Sequence, residues 1–193
     1  SWDVASGENL PNPEEKTWYY PVDIGGTFNG HLIELNYIPI DNYHGNYEVL
    51  DSNSSNILAA SLDISETGIC QELENYSLSS DSRYLALGCD LNILPIWDLP
   101  AHNLAYTLIG HHPVGGDGWF ANITDVSFSP YGYLLASSGY DDTIRFWNAK
   151  TGDLLLTLHD HPCLVTDIAF SIDGRYLAST SCDGTLRLWG LQP

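Results

Sequence analysis

Cations are scarce in this chain: six Lys and Arg stand against 25 Asp and Glu among 193 residues, a formal charge of −19. Affinity for nucleic acid rests on Lys and Arg neutralising phosphates, so direct binding to DNA or RNA is not expected. Apolar runs are short. None approaches the roughly 20 residues of a membrane-spanning helix, which argues against a membrane role. Cysteine is sparse, and Cys70, Cys89, Cys163 and Cys182 lack the C-x-x-C spacing of a zinc ribbon or redox motif. They read as small buried thiols of a reducing compartment rather than as a disulfide scaffold, and a cytoplasmic location is the expectation. One pattern pulls the other way: Asn53, Asn75 and Asn122 each open an N-x-S/T glycosylation triplet, common by chance in an Asn- and Ser-rich chain. Methionine is absent and no basic-then-apolar leader opens the sequence, so the chain reads as a fragment or a processed product.

What is present is apolar enough to fold. At 44% hydrophobic and 12% aromatic the chain is no disordered acidic tail, and its length suits one domain or part of a larger one. The informative feature is an internal repeat. Ile123–Ser137 lies over Val165–Ser179, sharing Thr-Asp, Phe-Ser, Gly and Leu-Ala-Ser in register, and Asp141–Trp147 continues over Asp183–Trp189. A weaker copy runs from Tyr76 through Tyr84-Leu-Ala86 to Trp97-Asp98. Between this weaker copy and the one that opens at Ile123 lies a Gly-rich insertion, 112–122, carrying Trp119 and Phe120. Within each copy, short runs alternate with period two and are separated by turn residues such as Asp173-Gly174 and Asp183-Gly184. These read as antiparallel strands joined by tight turns. A four-stranded sheet of about 42 residues cannot hide both faces alone, and stacking such sheets side by side buries them.

These residues resemble WD-repeat (WD40) β-propeller blades: Gly110-His111 opens one, and Trp97-Asp98 and Trp147-Asn148 close others. The resemblance implies an all-β propeller of four-stranded antiparallel blades, about four here, as the C-terminal part of a larger ring. The units are 1–10, an outer strand of a preceding or closing blade; 11–63, a divergent blade; 64–109, a degenerate blade; 110–158, a blade with the 112–122 insertion; and 159–193, a blade lacking its fourth strand. The opening segment Ser1–Leu10 aligns with Phe146–Leu155, so it could instead complete the last blade of a self-closed ring.

In such blades a His, a strand Ser or Thr, a turn Asp and a Trp form a hydrogen-bonded tetrad. Carried over by position, one tetrad is His111, Ser137, Asp141 and Trp147, and the other is His161, Ser179, Asp183 and Trp189. Ser181, two residues along the same strand face, is an alternative to Ser179. The blade closing at Trp97 departs from the pattern, with Leu87 at the Ser position, Leu91 at the Asp position and Pro95 inside a strand.

Enzyme signatures are weak. His159-Asp160-His161 and His111-His112 could suggest metal ligands, and Asp141 with Asp183 the acids of a glycosidase. The tetrads already employ His111, His161, Asp141 and Asp183, which leaves too few metal ligands, and no phosphate-binding, dinucleotide or nucleophile-elbow motif occurs. No catalytic residue, cofactor or metal is expected. The resemblance implies a protein-interaction scaffold within a multisubunit assembly or a multidomain signalling protein. The alternative is a small-ligand, carbohydrate-binding or enzymatic propeller. A protein or peptide is the expected partner. Residues 1–82 hold 14 acids and one base, a charge that suits a basic partner and equally suits solubility. Trp119 and Phe120 are the candidate partner contacts.

Overall fold

The computed structural model describes residues 73–89, 92–112 and 122–191 in full apart from the side chain of Glu74, and the backbone of the strands between 21 and 62. The described residues form antiparallel sheets and no α-helix. In the N-terminal part, β1 (Pro21–Val22), β3 (His31–Pro39), β4 (Gly45–Asp51) and β5 (Asn56–Leu62) pair in that order, with β2 (Thr27–Phe28) on β3.

The repeat copies build three sheets of one design. Sheet A is β6 (Leu73–Leu78), β7 (Tyr84–Cys89), β8 (Ile93–Asp98) and β9 (Asn103–Ile109). Sheet B is β10 (Ile123–Phe128), β11 (Leu134–Gly139), β12 (Ile144–Asn148) and β13 (Leu154–Leu158). Sheet C has three strands, β14 (Val165–Phe170), β15 (Tyr176–Ser181) and β16 (Leu186–Gly190).

The turns show why the sequence folds this way. The first hairpin of each sheet bends at Ser79, Ser129 or Ser171, whose hydroxyl accepts the backbone N–H five residues on. The tight reversal then needs a left-handed residue, which is Ser82, Gly132 and Gly174 in the three copies. The second hairpin places Asn92, Asp142 and Gly184 in the same conformation, types that tolerate it.

Stacking supplies the core. Ala86, Leu94 and Ile96 of sheet A pack with Val126, Leu135 and Trp147 of sheet B. Ala136, Ile144 and Phe146 on the other side of sheet B pack with Val165, Ile168 and Leu177 of sheet C. Burying a side chain of this size contributes about 1.5–3 kcal/mol. Sheet C presents Leu186 and Leu188, the counterparts of Ile144 and Phe146, to solvent among the described residues.

The seams are also polar. Each first strand has a register break, at Leu73/Asn75, Ile123/Asp125 and Val165/Asp167. Past the break, Asp125 accepts its neighbour Val126 N–H at 2.7 Å and Ile168 N–H of sheet C at 2.9 Å. Thr124 donates its hydroxyl to Val165 O at 2.6 Å. These bonds lock sheet C in register against sheet B, which apolar contact alone does not.

The cysteine reading is corrected. Cys163 and Cys182 form a disulfide rather than a pair of buried thiols, and Cys89 is disulfide-bonded too. The cause is the β14–β15 hairpin: Val165 pairs with Ser181 and Cys182 N–H reaches Leu164 O. This sets the two Cα atoms 5.6 Å apart, within bridging range. Asn75 is half-buried with its carbonyl on Tyr76 N–H at 2.6 Å, a poor place for a glycan.

Candidate functional site

The sequence singles out two sets of four residues, and the structure brings each set together. In sheet B, His111 lies just beyond the end of β9, Ser137 on β11, Asp141 in the β11–β12 turn and Trp147 on β12. Asp141 is 2.8 Å from His111 Nδ1, and Ser137 Oγ is 2.7 Å from Nε2. Trp147 Nε1–H donates to the same Ser137 oxygen at 2.9 Å. The bonding pattern assigns the protons: Trp147 N–H donates to Ser137, the Ser137 hydroxyl to Nε2, and Nδ1–H to the Asp141 carboxylate. His111 and Ser137 are buried at 2% and 0% exposure, so the ring nitrogens of His111 and the Ser137 hydroxyl have their partners where water cannot substitute.

Electrostatics support the neutral ring. Burial pushes the His111 pKa down, outweighing the pull of Asp141. Burial alone would raise Asp141, but His111, Thr143 and the backbone N–H of His112 hold it well below the usual carboxylate range.

In sheet C the same geometry recurs. His161 Nδ1 is 3.0 Å from Asp183 and Nε2 is 2.8 Å from Ser179 Oγ, which accepts Trp189 N–H at 2.9 Å. Ser179 takes the hydroxyl place, while Ser181 donates instead to Cys163 O at 3.0 Å. The Thr185 hydroxyl first, then His161, hold Asp183 below its ordinary pKa. All four ring nitrogens of His111 and His161 are thus engaged in these bonds.

Sheet A has the scaffold without the network. Leu87, fully buried, fills the place of Ser137. Trp97 Nε1 is left buried with no hydrogen-bond partner among the described residues. Pro95 coincides with a shortened β7–β8 ladder, which stops at Ala86↔Ile96, whereas β11–β12 runs on to Ser138↔Ile144. Leu91, Trp119 and Phe120 lie outside the described residues.

Sequence reasoning missed three contributors. Thr143 and Thr185 donate hydroxyls to Asp141 and Asp183 at 2.7 and 2.6 Å. Arg145 and Arg187 approach the same carboxylates at 3.4 and 3.9 Å. Asp125 and Asp167 meet at the seam. A signal existed for each, because all recur at the 42-residue offset: D-x-T-x-R in the second hairpin and T-D in the first strand.

Comparison with known proteins agrees with this geometry. The family model described as "WD domain, G-beta repeat" matches residues 103–148 and 152–190. Each matched segment begins at the outer strand of one sheet and ends on the third strand of the next. A Periodic tryptophan protein 2 homolog of Dictyostelium discoideum is 27% identical over 101 residues, 52% of this chain and 10% of that protein. An uncharacterized WD repeat-containing protein of Synechocystis is 28% identical over 137 residues, 69% of this chain and 36% of that one. The Mus musculus Periodic tryptophan protein 2 homolog is 27% identical over 105 residues, 54% and 10% of the two chains. The chain therefore spans between about a tenth and about a third of these relatives. Two matched segments, each holding a complete His–Ser–Asp–Trp network, make residues 103–148 and 152–190 similar to WD repeats.

Proposed function

We propose that this chain is a non-catalytic protein-interaction platform, one section of a larger propeller-bearing assembly. A single observation carries the reading: the residues that could have done chemistry are consumed by the fold. His111, Asp141, His161 and Asp183 are each held by hydrogen bonds within their own blade. A general base needs a free lone pair within reach of a substrate, and neither ring offers one. What remains is a rigid scaffold whose exposed faces are free to bind.

The partner is a protein or peptide rather than nucleic acid or a membrane. A basic segment suits the charge of −19, with electrostatic steering speeding its docking. The test is isolation of the tagged chain, expressed at native level, followed by sizing at graded ionic strength. A stoichiometric complex that weakens with salt is expected. A monomer at every salt concentration would overturn the platform reading, and a salt-indifferent complex would overturn the basic partner.

Disulfides persist in oxidising compartments and are rare where thiols are kept reduced. The Cys163–Cys182 bond therefore favours work outside a reducing cytosol. Alkylating the chain at the moment of isolation decides this. Unmodified Cys163 and Cys182 fit the oxidised setting, while full alkylation of both returns the chain to the cytoplasm.

A further inference from the structure

The seam between sheets B and C opens into a cavity of about 780 Å³, lined by Tyr131, Tyr133, Asp173, Arg175, Tyr176 and Gly190 among others. Three tyrosines with exposed rings on one groove are already unusual on a folded surface. The internal repeat says more, because sheet A shows what this arrangement looks like when it is complete. There, Tyr84 pairs across the ladder with Asp98, and Leu99 N–H bonds Arg83 O. Sheet C repeats that backbone: Tyr176 pairs with Gly190, and Leu191 N–H bonds Arg175 O. In sheet A the Arg83 guanidinium donates twice to the Asp98 carboxylate, at 3.1 and 2.8 Å, and lies over the Tyr84 ring. In sheet C the acid is missing, since Gly190 stands in its place. Arg175 has no ion pair among the described residues, although 25 acids compete for only six cations in this chain.

We infer that this groove is a docking site for an extended peptide bearing an acidic side chain. The peptide carboxylate takes the place beside Arg175 that Asp98 takes beside Arg83, and a neighbouring apolar or aromatic residue rests on Tyr131, Tyr133 and Tyr176. Arg favours this role because its planar fork binds a carboxylate through two bonds. Tyrosine offers a large apolar face and a hydroxyl for the peptide backbone at little entropic cost. The Asp173 carboxylate feels the charge of Arg175 but forms no ion pair with its guanidinium among the described residues, so it does not fill the vacancy. Its Oδ1 accepts the Ser171 hydroxyl at 2.6 Å and Arg175 N–H at 3.2 Å, as part of its own turn. The groove is thus a local site for acid on a chain whose overall field favours base, which makes it selective rather than merely sticky.

The proposal rests on the platform reading and is tested separately from it. A phage-displayed library of degenerate ten-residue peptides is selected on the full chain, and the enriched peptides are titrated by fluorescence anisotropy. Two variants are decisive. Arg175→Gln removes the cation. Gly190→Asp supplies the missing acid from within, and a Cβ there meets nothing within 4 Å, so the fold accommodates it. Enriched peptides are expected to share an Asp or Glu, and binding should weaken at least tenfold in both variants. Gly190→Asp should melt no lower than the wild type. Peptides without an acid, affinities unchanged in both variants, or no enrichment at all would each overturn the groove assignment. In the second case the binding surface lies elsewhere and the platform reading stands.

Discussion

Sheets A and B share a backbone and differ in their polar interior. Both bend at a serine-capped first hairpin, both carry a register break in the first strand, and both bury an aliphatic layer against each other. Only sheet B adds the network of His111, Ser137, Asp141 and Trp147. Sheet A buries Leu87 where sheet B has Ser137, and its Trp97 N–H goes unpaired. The difference teaches that apolar pattern and turn chemistry suffice to make the sheet. The tetrad is a second layer of stabilisation that a copy can lose while keeping its strands.

Truncating the apolar face that each sheet presents to the next should produce the largest effects. Phe146→Ala is expected to cost about 3–5 kcal/mol, and its sheet A counterpart Ile96→Ala about 2–5 kcal/mol, read from urea unfolding. A much smaller cost at Ile96 would mean that sheet A is not held by packing, and would break the parallel.

The two tryptophans sharpen the contrast. Trp147→Phe keeps most of the ring but removes the donor to Ser137, and should destabilise by about 1–3 kcal/mol. Trp97→Phe removes an N–H that has no partner, so it should cost less than Trp147→Phe under identical conditions. Equal losses would show that the hydrogen bond contributes nothing beyond the bulk of the ring.

A subtler difference lies in the first strands, where sheet A has Asn75 and sheet B has Asp125. Burial first, and then the hydrogen bond that its protonated carboxyl donates to Asp167, push Asp125 up to about 7. A carboxyl whose pKa is raised on folding carries no penalty below its unfolded value, near 3.9. The penalty grows as pH rises from there and is complete above about 7. The melting temperature should therefore fall between pH 5 and pH 8. Asp167→Asn should flatten that fall, because an amide can donate to Asp125 in its ionised form. A slope unchanged by Asp167→Asn would remove the pair from the account. Asp141 works in the opposite sense: its depressed pKa adds stability above the ordinary carboxylate value and loses it as pH falls below.

Much of this was legible in the sequence, for a physical reason. Period-two alternation and turn residues report local backbone geometry, so the strands from Tyr76 to Trp189 could be read directly. The resemblance to WD-repeat blades, carried over by position, is how His111, Ser137, Asp141 and Trp147 could be named before any contact was known, and the offset of 42 places Ser179, Asp183 and Trp189 in the next copy. What the pattern hid is interaction between sheets. The bond from Ile168 N–H to Asp125, and the meeting of Asp125 with Asp167, depend on how one sheet sits on the next. The disulfide was hidden differently: 19 residues of separation look remote until the Val165↔Ser181 pairing folds them together. That register was implicit in the hairpin reading, but the absence of C-x-x-C drew attention away from it.

Asp141→Ala offers the most direct measurement, made by equilibrium urea unfolding at pH 7 with the circular dichroism of the folded variant as a check on strand content. Asp141 accepts from His111, the Thr143 hydroxyl and the His112 N–H, and its loss strands a buried imidazole. The account predicts an intact all-β spectrum with a loss of about 1–3 kcal/mol. Unfolding at the same urea concentration as the wild type would contradict it, because the tetrad would then be an arrangement that the fold does not need.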